Sequence, residues 1–129
     1  MDAGHFAFSK LVVGDLEKSA AFYEAVFGLK QQARIDAALV GRALTEIVYE
    51  PTAKGASNFV LLAFHDTPRP AGGETITGLL CQDLDAAVER AVAGGGSVLQ
   101  PAFDLADHGL RIAILADPEG HMIELIKPL

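Results

Sequence analysis

The sequence predicts an α+β fold: two βαβββ repeats forming a curved eight-stranded mixed sheet with the helices on its outer face. Three observations lead there. Two segments open on Asp-Leu and continue at helical spacing, "DLEKSAAFYEAVFGL" from Asp15 and "DLDAAVERAVAGGG" from Asp83. Each follows one strand-like run and precedes three more. The two capping aspartates lie 83 − 15 = 68 residues apart, so the halves have matching lengths.

The first run, "HFAFSKLVV", is rich in apolar and β-branched residues and stops at Gly14. Asp15 then caps a helix, because its carboxylate can accept from the free N–H groups of the first turn. Leu16, Ala20, Tyr23 and Phe27 recur at helical spacing, with Ser19, Phe22 and Val26 widening the stripe. Gly28 is the stop. "LKQQARI", "LTEIVYE" and "NFVLLAFH" read as three strands, with "DAALVGRA" and "PTAKGAS" as the loops between them.

"HDTPRPAGGET", residues 65–75, is the most Pro/Gly-rich stretch and reads as a linker. It divides one domain, 1–129, into a first repeat at about 5–65 and a second at about 76–127. "TITGLLCQ" is the fifth strand. The second helix puts Leu84, Val88, Ala91 and Val92 on its buried stripe and ends at Gly94, Gly95 and Gly96. "SVLQP", "LRIAILA" and "HMIELIK" complete the set, and "DPEG" turns between the last two.

Composition limits the function. Half of the 129 residues are hydrophobic, enough for a core. The net charge of −7 argues against a nucleic-acid partner, which needs a basic face, and it suits a cationic ligand. The lone cysteine, Cys81, permits no internal disulfide and fits a reducing compartment. "MDAGHF" carries an acid where a signal peptide carries bases, and no apolar run approaches the roughly 18 residues of a membrane span. The expectation is a cytoplasmic protein without a membrane partner.

"LVVGDLEKSAAFYEAVFGLK" together with "ILADPEGHMIELI" resembles the vicinal oxygen chelate superfamily, which holds glyoxalase I, extradiol dioxygenases, fosfomycin-resistance enzymes and bleomycin-resistance proteins. The likeness runs from about Phe6 to Lys127. It implies the paired-repeat fold and, often, a homodimer. In enzymes of this kind it implies four metal ligands on strands of both repeats. The matching positions here are Phe8, seven residues before Asp15; Leu61 in the fourth strand; Thr77, six before Asp83; and Glu124 after the turn. Only Glu124 can coordinate. A first-row dication needs three or more protein ligands, so the expectation is no metal cofactor.

The expected site is then an apolar groove with one acid. Glu124 shares its strand face with Met122 and Ile126, Phe8 with Phe6 and Lys10, and Leu61 with Phe59 and Ala63. Thr77 and Leu79 add to the lining. Glu124 either anchors a ligand or acts as a general base, with Lys10 or Arg111 as its cation. His108, in "DLADHGL", is the histidine best placed to fold over the groove; His5, His65 and His121 read as turn or surface residues. Which face of "LTEIVYE" borders the groove stays open. Three functions remain: a metal-free binder of a small organic molecule, cationic or amphipathic; a lyase, isomerase or dioxygenase with a divalent metal ion held atypically; and a dimeric structural or regulatory module.

Overall fold

A computed structural model describes residues 4–66 and 75–129 of the chain. The elements run β1 (Phe8–Val12), α1 (Leu16–Phe27), β2 (Gln31–Leu39), β3 (Arg42–Tyr49), β4 (Asn58–Phe64), β5 (Ile76–Leu80), α2 (Leu84–Ala93), β6 (Ser97–Leu105), β7 (Leu110–Ala116) and β8 (Met122–Pro128). A single 3₁₀ turn, Ala106–His108, separates β6 from β7. The strands form two four-stranded mixed sheets, ordered β1-β4-β3-β2 and β5-β8-β7-β6. In each, the first strand pairs parallel with the fourth and the other pairs are antiparallel. The βαβββ repeat is thus present twice, with one topology. No helix of the described residues is long and apolar enough to cross a membrane. Most of the linker, residues 67–74, lies outside the described residues.

Both aspartate caps form. Asp15 accepts from Lys18 N at 3.0 Å, and Asp83 from Ala86 N at 3.1 Å. Gly28 ends α1 with φ +66, the left-handed conformation that costs glycine nothing. One expected loop is strand instead, and one expected strand runs longer. "DAALVGRA" continues β2 to Leu39 and turns on Val40 and Gly41 into β3. Both turn residues have positive φ, 51 and 72, which makes a type I′ hairpin and matches the twist of the strands. A β-branched residue at the first of these positions hid the turn from the sequence. "SVLQP" runs on past Pro101 to Leu105. Proline is tolerated because β6 is an edge strand with two register shifts.

The residues pack as two compact units, of which the second takes Ala21–Phe27 of α1 along with everything from β5 onward. In the first unit the helix-covered face is marked by Arg34, which donates to Glu17 of α1 at 2.6 Å. Arg34 pairs with Ile47, and Ile47 with Leu61, so all three point that way. Leu11, Ile47, Tyr49 and Leu61 are buried there.

In the second unit, Ala113, Leu115, Ile123 and Leu125 are buried on the face that α2 covers with Leu84, Ala87 and Ala91. Arg111, on the same side of β7, reaches Asp85 of α2 at 3.3 Å. The end of α1 docks beside the Gly94–Gly96 run. A methyl on Gly96 would stand 2.8 Å from Ala116 O and 3.0 Å from Phe22, so the backbone can pass here only without a side chain.

The "DPEG" turn is held by its own aspartate. Asp117 accepts from the N–H groups of Glu119 and His121, both at 2.9 Å, from His121 Nδ1 at 3.0 Å, and from the Tyr23 hydroxyl at 2.8 Å. Asp117, Glu119, His121 and Tyr23 are all buried. Burial and, next, the Asp117 charge push the Tyr23 phenol far above its ordinary range, so it remains a donor.

Tyr23→Phe should lower stability by about 1.5–3 kcal/mol, the usual worth of a hydrogen bond to a charged group. Urea denaturation would show a lower midpoint at unchanged slope; an unchanged midpoint would mean that the turn does not depend on this bond.

Candidate functional site

Strand register decides which residues can share a site. In a parallel pair, directly opposed residues point to the same side of the sheet. Lys10 is opposed to Val60, and Phe8 to Asn58. On the antiparallel side Val60 is opposed to Val48, and Leu62 to Glu46. Phe8, Lys10, Glu46, Val48, Asn58 and Val60 therefore lie together on the helix-free face of the first sheet. They line a pocket of about 140 Å³ there.

The polar centre of this pocket is an ion pair. Lys10 Nζ donates to Glu46 Oε2 at 2.8 Å and sits 5.4 Å from the Phe8 ring centroid. Glu46 is buried and Lys10 half-buried. The pair is flanked by apolar Phe8, Val48 and Val60, with the Asn58 amide donating to Tyr49 O at 2.8 Å. One pocket thus offers an ammonium, a carboxylate and an aromatic edge side by side.

The register separates residues that the sequence had grouped. Leu61 is opposed to Leu11 and Ile47, under α1, and is fully buried in the core. It cannot face the pocket of Phe8; the alignment that joined them is one residue out of step, and one residue reverses a strand's faces. Thr77 is opposed to Ile123 and stands on the α2 side, as does Leu79, opposed to Leu125. Glu124 is opposed to Gly78 and Ile114, so its neighbours on the helix-free face are Ile76, Gly78, Met122 and Ile126.

Glu124 is half-buried, and its carboxylate makes no hydrogen bond or ion pair among the described residues. The two expected cations have other partners. Lys10 bonds Glu46, while Arg111 bonds Asp104 at 2.9 Å and Asp85 at 3.3 Å. His108 is exposed on the 3₁₀ turn, beyond the Leu110 end of β7, whereas Glu124 is opposed to Ile114, four positions or roughly 13 Å along the strand. His121 is committed to Asp117, and His65 Nε2 lies 2.7 Å from the Thr45 hydroxyl. Cys81 is half-buried, and burial raises its thiol pKa, which makes it a weak nucleophile.

The internal repeat gives an independent check. Adding 68 to Phe8 reaches Ile76, not Thr77, and adding it to Lys10 reaches Gly78. Val60 is opposed to Lys10 as Glu124 is to Gly78, so Val60 is the first-repeat counterpart of Glu124. The four equivalent positions are therefore Phe8, Val60, Ile76 and Glu124.

The model of the Glyoxalase/Bleomycin resistance protein/Dioxygenase superfamily matches residues 3–125. The chain belongs to this superfamily. The lactoylglutathione lyase of Neisseria meningitidis serogroup A is 33% identical over 119 residues, 91% of this chain and 86% of that one. A Mycobacterium bovis protein named as a glyoxylase, CFP32, is 43% identical over 49 residues, but the match covers 38% of this chain and only 18% of that one. Among solved structures, a glyoxalase family protein from Bacillus cereus superposes over 100% of this chain and 99% of its own with a TM-score of 0.83 at 19% identity, which shows the shared fold.

Enzymes of the superfamily resembling glyoxalase I hold a divalent metal, so the donor set at the equivalent positions is the test. Phenylalanine, valine and isoleucine have no lone pair to give, which leaves the Glu124 carboxylate alone. These residues do not fit a divalent ion. Glu46, Asn58 and Val60 were not found from sequence. The signal for Glu46 was an acid inside the β-forming run "LTEIVYE", and only the pairing of β3 with β4 shows which way it points.

Leu61→Ala should cost about 2–5 kcal/mol, the range for a large-to-small change in a core. Phe8→Ala, at a residue 52% exposed, should cost less than about 1 kcal/mol. The reverse order in thermal or urea unfolding would mean that Leu61 is the pocket residue.

Proposed function

We propose that the chain is a small-molecule-binding member of the superfamily that works without the divalent metal. The observation that carries this is the donor count at Phe8, Val60, Ile76 and Glu124: one carboxylate, against the three or more ligands a dication requires. Apolar lining with a few placed polar groups is the usual character of a small-molecule site. In the first unit Phe8, Lys10, Glu46 and Val60 supply it. In the second, Met122 and Glu124 do.

The ligand we propose is a small amphipathic organic cation. Among the described residues no cation pairs with Glu124, and Gly78, where the first repeat carries Lys10, leaves open space with nothing within 4 Å of a would-be Cβ. A protonated amine can come alongside this carboxylate and exchange part of its hydration for an ion pair. The overall charge of −7 assists its approach. Similarity to proteins named lactoylglutathione lyase favours a metal-dependent isomerase as the second reading, and that reading requires donors from positions other than the four equivalent ones.

Two measurements distinguish the readings. Metal-free protein incubated with nickel, zinc, iron or manganese and then desalted should retain well under one ion per chain; stoichiometric metal lost in Glu124→Gln would overturn the proposal. In a thermal-shift screen, amphipathic amines at about 100 times their Kd should stabilise the protein by about 2.7 kcal/mol, and Glu124→Gln should remove most of that shift. Equal shifts in the wild type and Glu124→Gln would exclude the carboxylate as the anchor.

A further inference from the structure

The outer edge of β2 carries a self-complementary pattern. β2 is the last strand of the first sheet, nine residues long, and every residue from Arg34 to Leu39 is exposed. Among the described residues no strand pairs with its outer side. Its helix-free face presents Ala33, Ile35, Ala37 and Leu39, and its other face alternates Arg34 and Asp36.

The backbone direction is fixed by the neighbouring strands. His65 N donates to Ala43 O at 2.9 Å, so the odd-numbered residues of β3 bond toward β4 and the even-numbered ones toward β2. Those even residues are opposed to Ala33, Ile35, Ala37 and Leu39. The N–H and C=O groups of Arg34, Asp36 and Ala38 therefore point outward, free for another strand. An unpaired edge of this length is a template for β-augmentation.

We propose that β2 pairs antiparallel with β2 of a second copy of this chain, about a two-fold axis at Ile35. In this register Arg34 stands opposite Asp36 of the second copy, and Asp36 opposite its Arg34, each as a hydrogen-bonded pair. Ile35 meets Ile35 in the intervening non-hydrogen-bonded pair, where side chains come closest, and Ala33 meets Ala37. The neighbouring registers with the same backbone parity fail on charge. One sets Arg34 against Arg34, and the other sets Asp36 against Asp36. The pattern selects one register by attraction and rejects its neighbours by repulsion. The present partners of the two charges are exposed and adjust at little cost: Glu17 for Arg34, and the Thr45 hydroxyl for Asp36. Two four-stranded sheets would join into one of eight strands, with the two Phe8–Lys10–Glu46 pockets on the same face.

The test uses the full chain in sedimentation velocity and cross-linking. The wild type should form a dimer. Arg34→Asp sets two aspartate pairs face to face and should weaken dimerisation by about tenfold or more. The double exchange Arg34→Asp with Asp36→Arg should restore it, although the Glu17 pair is lost. In a Cys81→Ser background, Ile35→Cys should yield a disulfide-linked dimer under mild oxidation, since the two positions face each other at disulfide distance; Leu39→Cys, facing Gln31, should not. Circular dichroism verifies that each variant is folded. A monomeric wild type, or a dimer unaffected by Arg34→Asp and not cross-linked through Ile35→Cys, would overturn the proposal.

Discussion

Every feature of the candidate site depends on the register of two parallel strand pairs, β1 with β4 and β5 with β8. A strand shows alternate residues to alternate faces, so an opposed residue either shares a face or, one step away, belongs to the other side. The β1–β4 register puts Val60 beside Lys10 and sends Leu61 into the core. The β5–β8 register puts Gly78 and Ile76 beside Glu124 and sends Thr77 under α2. Each assignment fixes the chemistry. Phe8 with Leu61 would be half pocket and half core, whereas Phe8 with Lys10, Glu46 and Val60 is a pocket with an ion pair in it.

The legible parts of the sequence were local ones. An aspartate cap acts on N–H groups within three residues, a glycine stop on its own φ, and "DPEG" on four consecutive residues, so each could be recognised where it stood. Asp117 shows the limit of such reading. Its bonds to Glu119 and His121 are local, but its bond to the Tyr23 hydroxyl spans 94 residues, and Tyr23 read only as one apolar position in a helical stripe. The register of a parallel pair is likewise non-local, since its strands are joined by a crossover and no turn ties them together. A shift of one residue there left the β4 and β5 faces inverted while the fold itself was correct. The 68-residue offset held the remedy, since it carries Phe8 to Ile76, and its meaning became plain only beside the pairing.

The ion pair on the first sheet has little to do with stability. A half-exposed lysine bonded to a carboxylate contributes at most about a kilocalorie per mole. Its consequence is chemical. A carboxylate buried on an apolar sheet face would be costly alone, and Lys10 supplies its hydrogen-bonded partner there. The same lysine, still half-exposed, has donors left over for an acceptor in the pocket.

The second repeat differs at the position that corresponds to Lys10. Where the first has a lysine beside its acid, the second has Gly78 beside Glu124, so the space next to the carboxylate stays open. A carboxylate open on one side and bounded by Ile76, Met122 and Ile126 is poorly shielded by water on its apolar flanks, which strengthens its attraction for any cation that enters. A metal ion would need companions that Ile76, Met122 and Ile126 cannot provide. An organic amine needs only one such acid and an oily surface for its carbon skeleton, and both are present on this face. On the proposed reading, the first repeat pairs its acid with its own lysine and the second leaves its acid for a guest, and that asymmetry between two halves of one topology would set ligand selectivity.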